Sequence, residues 1–356
     1  MSALEDLVVI ELCTLNTGPY CGKLLADMGA EVIKVEPPSG DPARRSGPFP
    51  KDVPHPERSG TFLYLNTNKQ SVTLDMETET GRKLFRELVS KADVLLEDLP
   101  PGTLPSWGLG YDSLAQQHPE LVMTSITPFG QDGPYRDYKA YPVNTYHAGG
   151  EGYTMPGSVG WLLYSDRPPL QGAGFAGEHY AGLSAAVATM MAVAARAITG
   201  KGQYVDVSKQ EALLNLSRPE VEKFPNENFI ERRATRMFPV GGSFQCKDGF
   251  VHLLVNTDDM WKGLVELMEN PEWVLPEYST RDGRRADGEL INTMISEWTM
   301  SRTKDEIYHQ GQAHGIAVTP YMTPEEVYAS PQLQARNYIV EVEHPEAGKI
   351  KMPSAS

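Results

Sequence analysis

Two apolar runs near the start, LVVIEL (7–12) and AEVIKVE (30–36), constrain this chain more than any other feature. Each is compact and rich in β-branched residues, the pattern of a strand buried on both faces. Between them CTLNTGPY supplies turn residues, and CGKLLADMG (21–29) reads as a helix closed by Gly29. Two such strands joined through a helix make a βαβ unit and hence a parallel sheet. The pattern recurs. SVTLDM (71–76), DVLLEDLPPG (93–102) and LVMTSITPFG (121–130) read as strands, TETGRKLFRELVSKA (78–92) as an amphipathic helix, and YDSLAQQHP as a short one. Residues 5–130 therefore predict an open, mostly parallel α/β layer, which the helix after residue 178 and GQYVDVS (202–208) extend.

The texture changes after about residue 220. SFQCKDGFVHLLV (243–255) reads as a hairpin turning at KDG, and DDMWKGLVELM as a helix with an acidic first turn. ELINTMISEWTMSRTKDEIYHQGQAHG reads as two helices broken near SRT. TPEEVYASPQLQA is helical, with Thr323 and Glu326 at capping-box spacing, and YIVEVEHPEAGKIKM is strand-like. The expected division is a large domain over 1–220, a small α+β domain over 225–330, and a segment over 331–356 returning toward the large domain.

A formal charge of −15 argues against a nucleic-acid partner, which would want a basic face. Three cysteines, Cys13, Cys21 and Cys246, are too few for a disulfide framework and form no metal-ligand set. No basic segment followed by an apolar run opens the chain, and the apolar stretch 181–195 is shorter than a membrane span. The expectation is a cytoplasmic enzyme with no membrane partner and no tightly bound cofactor.

The chemistry-bearing motifs with strong signatures, Walker A, GxGxxG, GxSxG and HExxH, do not occur. Two subtler features remain. TLNTGPY places a helix start just past the first strand, where open α/β sheets bind ligands and backbone N–H groups favour an anion. GAGFAGEHYAG (172–182) sets Glu178 among glycines ahead of an alanine-rich run. There an ionised carboxylate is a candidate nucleophile toward an activated carbonyl, and equally an ordinary first-turn acid. His179 is adjacent, but neighbours on a helix point apart, so the two need not form a dyad. HAGGEGYTMP (147–156), with Gly149, Gly150 and Gly152, reads as a candidate cover loop. Lys34, Arg44, Arg45, Lys69, Arg82 and Arg136 lie in or near loops of the first half, either as a polyanion site or as a solvated surface.

The order of longer segments carries more. VVIELCTLNTGPYCGKLLADMGAEVIKVEPPSGDPAR, FLYLNTNKQSVTLDMETETGRKLFRELVSKADVLLEDLPPG, WGLGYDSL, PELVMTSITPFGQDGPYRD, TGKGQYVDVS, CKDGFVHLLV and YIVEVEHPEAGKIKMP follow one another as in the family III CoA-transferases, which this chain resembles from residue 5 to about 353. That family includes formyl-CoA:oxalate, carnitine-related and benzylsuccinate CoA-transferases. The resemblance implies a Rossmann-like large domain and a smaller α+β domain, in two chains interlocked ring through ring. It implies acyl-CoA and a carboxylic acid as substrates, with CoA held near Asn16, Thr17, Lys34, Arg44, Lys69 and the loop from Glu97 to Gly102. It also implies a chain running on past the KMP segment, whereas this sequence ends at Ser356.

The family's catalytic residue is an aspartate in an Ala-Asp-Leu-x-x-Gly setting. The matching stretch here is Gly177-Glu178-His179-Tyr180-Ala181-Gly182, so Glu178 stands in its place with the spacing to Gly182 kept. Thr67 and Pro142 are further departures, where the family often has arginine and aspartate. Three readings follow: a CoA-transferase with a possible succinyl-type donor and an aromatic or dicarboxylic acceptor, acting as a homo- or heteromer; a silent subunit supporting a homologous active one; and an acyl-CoA racemase or isomerase. The racemase pattern wants a general-base histidine where this chain has AYPVNTY (140–146), and His147 falls beyond that place.

Overall fold

In strand β1 (Val8–Leu12) Val9 and Ile10 point to opposite faces of the sheet and both are buried. Val9 joins a core with Leu25, Val32, Val94, Ala185 and Val207, and Ile10 a separate core with Val35, Phe85, Val89, Leu95 and Met123. Helices therefore cover both faces, as the continuous apolar runs require. The structure, a computed structural model, describes residues 2–155, 157, 164–215, 218–230 and 238–354. β1 pairs in parallel with β2 (Glu31–Glu36) and with β4 (Val94–Glu97). β3 (Lys69–Thr73), β5 (Val122–Thr127) and β6 (Tyr204–Ser208) complete a six-stranded parallel sheet in the order β3-β2-β1-β4-β5-β6. This is a doubly wound order, whose direction reverses between β1 and β4.

Helix α1 (Thr17–Asp27) starts four residues earlier than the sequence suggests. Leu15 turns the chain at φ 61°, and Pro19 falls in the first turn, where its missing N–H has no intrahelical partner to lose. β3 likewise begins at Lys69 and ends before the expected Leu74–Met76. Helix α2 (Glu79–Val89) opens on Thr78, whose hydroxyl accepts from the Gly81 N–H.

Helix α3 (Ala176–Thr199) runs 24 residues, beyond the apolar stretch on either side, and its length and composition alone would suffice to cross a membrane. In this fold one face of it, including Ala181, Ala185, Ala186, Thr189 and Ala192, is buried against α1 and the sheet. The Thr189 and Thr124 hydroxyls share a buried hydrogen bond of 2.7 Å across that contact. Small residues allow the approach. A Cβ on Gly182 would stand 2.6 Å from the Thr17 carbonyl oxygen, which is backbone and cannot swing away. Helix propensity alone would favour Gly182→Ala by about 1 kcal/mol. Packing opposes it, and we expect a net loss of about 1–3 kcal/mol for Gly182→Ala and more for Gly182→Val in urea unfolding. An alanine variant more stable than the parent would show that the α1–α3 contact relaxes freely.

By internal contacts the chain groups into two units. The first comprises Met1–Met155, Pro169–Glu231 and Asn337–Ser356, and the second Pro156–Pro168 and Arg232–Arg336. In the first unit, helix α4 (Lys209–Leu214) follows β6, and its N-cap Ser208 accepts from the Glu211 N–H. The second unit carries an antiparallel sheet of β7 (Gly241–Cys246), β8 (Gly249–Leu254) and β9 (Ala317–Pro320). Helices α5 (Asp258–Leu267), α6 (Gly288–Met300) and α7 (Lys304–Ala313) pack on it through Trp261, Leu264, Ile291, Ile295 and Ile307. The KDG hairpin and the break between two helices near SRT are both present. Thr323 and Glu326 form the expected capping box of a short helix, Pro324–Tyr328. The terminal strand-like segment is an antiparallel hairpin, β10 (Ile339–His344) with β11 (Gly348–Pro353), and it belongs to the first unit.

Candidate active site

The carboxyl ends of β1, β4, β5 and β6 open into a cleft of about 550 Å³, wholly within the first unit. It lies where the strand order reverses, the place such sheets bind ligands. Three segments build its floor. After β1 the chain passes through Thr14–Thr17 into α1; after β4 it runs through Asp98–Pro101; after β6 it enters α4 at Lys209. Asp98 ties the first two together, its carboxylate oxygens accepting from the Thr14 N–H at 3.0 and 3.1 Å. Leu15, at its positive φ, donates its N–H to Asp41 at 3.1 Å. Burial pushes the Asp98 carboxyl up to about 7, against the opposing pull of the Thr14 N–H, Lys209 and Lys34.

Glu178 reaches this floor from the first turn of α3 and is 4% exposed. Phe175 precedes the helix at φ 58°, an uncommon conformation for a residue with a side chain, which sets the angle of entry. The partners of the Glu178 carboxylate come from outside its own helix. Its Oε2 accepts a short hydrogen bond from the Thr17 hydroxyl and an ion pair of 2.6 Å from Lys209 Nζ. Neither partner is visible locally, since both arrive by tertiary folding.

His179 turns away from the cleft. Its ring packs 4.6 Å from Tyr20 and 6.3 Å from Tyr64, and burial lowers its pKa. No Glu178–His179 dyad forms. The cysteines beside the floor are no nucleophiles either: burial drives the Cys13 thiol far up and Cys21 to about 12. The expected glycine cover loop is helical over Pro142–Ala148 and Glu151–Thr154, with Gly152 packed under the His147 ring and Gly149 against Leu213. Pro156 lies outside the described residues. The cleft wall on that side comes instead from Tyr141, Pro142 and Thr145.

The sequence-predicted site residues divide. Asn16, Thr17 and Glu178 come together in the cleft. Glu97 is the buried last residue of β4, held by the Leu99 N–H at 2.9 Å and pushed up to about 7 by burial, and Asp98–Pro101 line the cleft between it and Gly102. Lys34, Arg44 and Lys69 line a separate depression of about 470 Å³, closed on one side by the β10–β11 hairpin. Each is already paired. Lys34 Nζ sits 2.9 Å from both Glu11 and Asp41, Lys69 Nζ 2.7 Å from Glu11, and Arg44 2.7 Å from both Glu36 and Glu57. Burial weakens the Lys34 charge but the two carboxylates outweigh it, holding its pKa above the usual range. The basic residues that do line the cleft are Arg136, Lys139 and Lys209. Lys209 and Lys139 escaped sequence reasoning. The available signal was position, since Lys209 follows the last parallel strand at its carboxyl end. No group of three or more His, Cys, Asp or Glu among the described residues is arranged to hold a metal ion.

This arrangement has relatives. The model of CoA-transferase family III matches residues 4–356. Succinyl-CoA–D-citramalate CoA-transferase of Chloroflexus aurantiacus is 33% identical over 357 residues, covering 98% of this chain and 86% of that protein. A subunit of succinyl-CoA:(R)-benzylsuccinate CoA-transferase of Thauera aromatica, BbsE, is 34% identical over 91% of this chain and 80% of its own length. A crystal structure of a CAIB/BAIF family protein from Brucella suis superposes with a TM-score of 0.82 at 27% identity, covering 98% of this chain and 94% of the other. With matches along nearly its whole length, this chain belongs to CoA-transferase family III.

Proposed function

We propose that this chain transfers CoA from succinyl-CoA to a second carboxylic acid, with Glu178 as the nucleophile. The observation that carries the reading is a buried carboxylate set into the cleft at the sheet's switch point, the place such sheets bind ligands. A Glu178 oxygen attacks the donor's thioester carbon, the C–S bond breaks, and CoA leaves as thiolate. The thiolate then attacks the glutamyl carbonyl of the resulting anhydride and releases the donor acid, leaving a glutamyl-CoA thioester. The acceptor carboxylate displaces CoA from that thioester to form a second anhydride. Attack of the thiolate on the acceptor's carbonyl gives the new acyl-CoA and restores Glu178. The succinyl donor is supported by the names of both relatives above. Asn16 and Thr17, with Arg136 and Lys139 at the cleft wall, are the CoA contacts this geometry favours. Lys34, Arg44 and Lys69 are instead assigned to holding the frame beside it.

The silent-subunit reading keeps one specific support: Glu178 in place of the family's aspartate, in a chain similar to a protein named as a subunit. Partnership with a second homologous chain is supported by an exposed apolar stripe on α3, Leu183, Val187 and Met191. One experiment addresses both. The purified chain is incubated with succinyl-CoA and labelled succinate, alone and with a homologous partner subunit, and its mass is measured by light scattering. The reading predicts label in succinyl-CoA with the chain alone, from a dimer. Exchange only when the partner is added would favour the silent subunit, and a monomer would remove the assembly.

A further inference from the structure

The Glu178–Lys209 pair has a consequence for the substrate acid. Lys209 lines the cleft, its side chain is only 18% exposed, and its Nζ lies 2.6 Å from a carboxylate that is itself 5% exposed. The Thr17 hydroxyl shares the same oxygen, so Oε2 is doubly held, while Oε1 takes no hydrogen bond among the described residues. An ammonium so far removed from water needs an anionic partner. In the proposed cycle Glu178 loses its charge whenever it is an anhydride or a thioester. The other carboxylate whose charge acts on Lys209 is Asp98, occupied by the Thr14 N–H and favoured in its neutral form by burial. Asp137, which also lines the cleft, pairs with Arg136 at 3.3 Å. In the glutamyl-CoA form the carboxylate left for Lys209 is therefore the free substrate acid, leaving after the first half-reaction or arriving for the second.

We propose that Lys209 binds the carboxylate of the substrate acid, passing from Glu178 to that carboxylate when Glu178 becomes the CoA thioester and returning to Glu178 at the end of the cycle. The proposal rests on the reading of Glu178 as nucleophile. It makes the acid site conditional: in the resting protein Glu178 occupies the ammonium, and formation of the thioester vacates it. An acid therefore binds weakly to the free protein and well to the glutamyl-CoA form, which suits an ordered exchange. No proton transfer or additional reactant is required, because only an ion pair changes partner.

The test uses succinyl-CoA with labelled succinate and the variant Lys209→Met, which keeps the length and apolar stem of the side chain and removes its charge. We expect the KM for succinate to rise roughly 30-fold or more, the KM for succinyl-CoA to change less than about threefold, and the glutamyl-CoA thioester to accumulate. Lys209→Arg should recover most of the succinate affinity. Should Lys209→Met not fold, Lys209→Gln reads the same split. An unchanged succinate KM, or an equal loss in both half-reactions, overturns the inference while leaving Glu178 as nucleophile. Exchange absent from the parent chain removes both proposals together.

Discussion

Glu178→Ala is expected to lower CoA transfer by about 10⁴-fold or more, because it removes the protein's own nucleophile, the group that bonds to the substrate's carbonyl carbon in the proposed cycle. Glu178→Gln should fall equally far. It preserves shape and an oxygen for Thr17 but leaves Lys209 without its counter-charge, so urea unfolding of the variant separates lost stability from lost chemistry. Glu178→Asp is the informative third variant. The family's usual aspartate returns, but its carboxylate sits one methylene nearer the backbone, away from the Lys209 ammonium now at 2.6 Å. A displacement near 1 Å is worth about 10²-fold. We therefore expect Glu178→Asp to be slower than the parent by about that factor and still far above Glu178→Ala. Mass spectrometry of the parent incubated with succinyl-CoA should find the CoA adduct on Glu178 and on no other residue. Glu178→Ala with ordinary exchange would end the nucleophile assignment, and Glu178→Asp faster than the parent would mean that the pocket has not been reshaped for glutamate.

The surroundings of Glu178 show which information the sequence carries. Its glycine-rich setting and the spacing to Gly182 are local, and Gly182 is needed because α3 crosses the α1 backbone there. The parallel layer was similarly legible, since strands buried on both faces must be apolar throughout. What governs the carboxylate was not. Thr17 lies 161 residues away along the chain and Lys209 31, and only the pairing of β6 beside β5 brings Lys209 to the cleft. The pairing of the basic residues was hidden for the same reason. Lys34 and Lys69 look like ligands of a polyanion when read singly, while Glu11 looks like one polar residue in a strand. In the sheet those three fall on adjacent strands in the order β3-β2-β1, and Glu11 together with Asp41 balances the two lysines. A charge in sequence gives no sign of whether its partner is a substrate or another part of the fold.

That neutralised cluster carries the second large effect. Glu11 is fully buried and pairs with Lys34 at 2.9 Å and Lys69 at 2.7 Å. Burial alone would push its pKa up, but Lys69 and Lys34 together hold it below the ordinary value. The lysines are not equally dependent on it. Lys34 keeps Asp41 at 2.9 Å, whereas Lys69 would retain only the Pro19 carbonyl and the Asn66 side-chain oxygen. Glu11→Gln therefore leaves a buried ammonium without its counter-charge, and we expect a loss of about 3–5 kcal/mol in urea unfolding. Burial already lowers the Lys69 pKa despite Glu11, so in the variant this lysine should shed its proton more readily, and the stability deficit should shrink as pH rises. The double variant Glu11→Leu with Lys69→Met removes charge from both sides and should be less destabilised than the two single changes summed, by about 1–3 kcal/mol. The effect should extend to the cleft, because Lys34 donates to the Cys13 carbonyl and Lys69 to the Pro19 carbonyl, which flank the loop carrying Thr17. A Glu11→Gln protein within about 1 kcal/mol of the parent would mean that water reaches Lys69, and that the loop beneath Glu178 is held by other contacts.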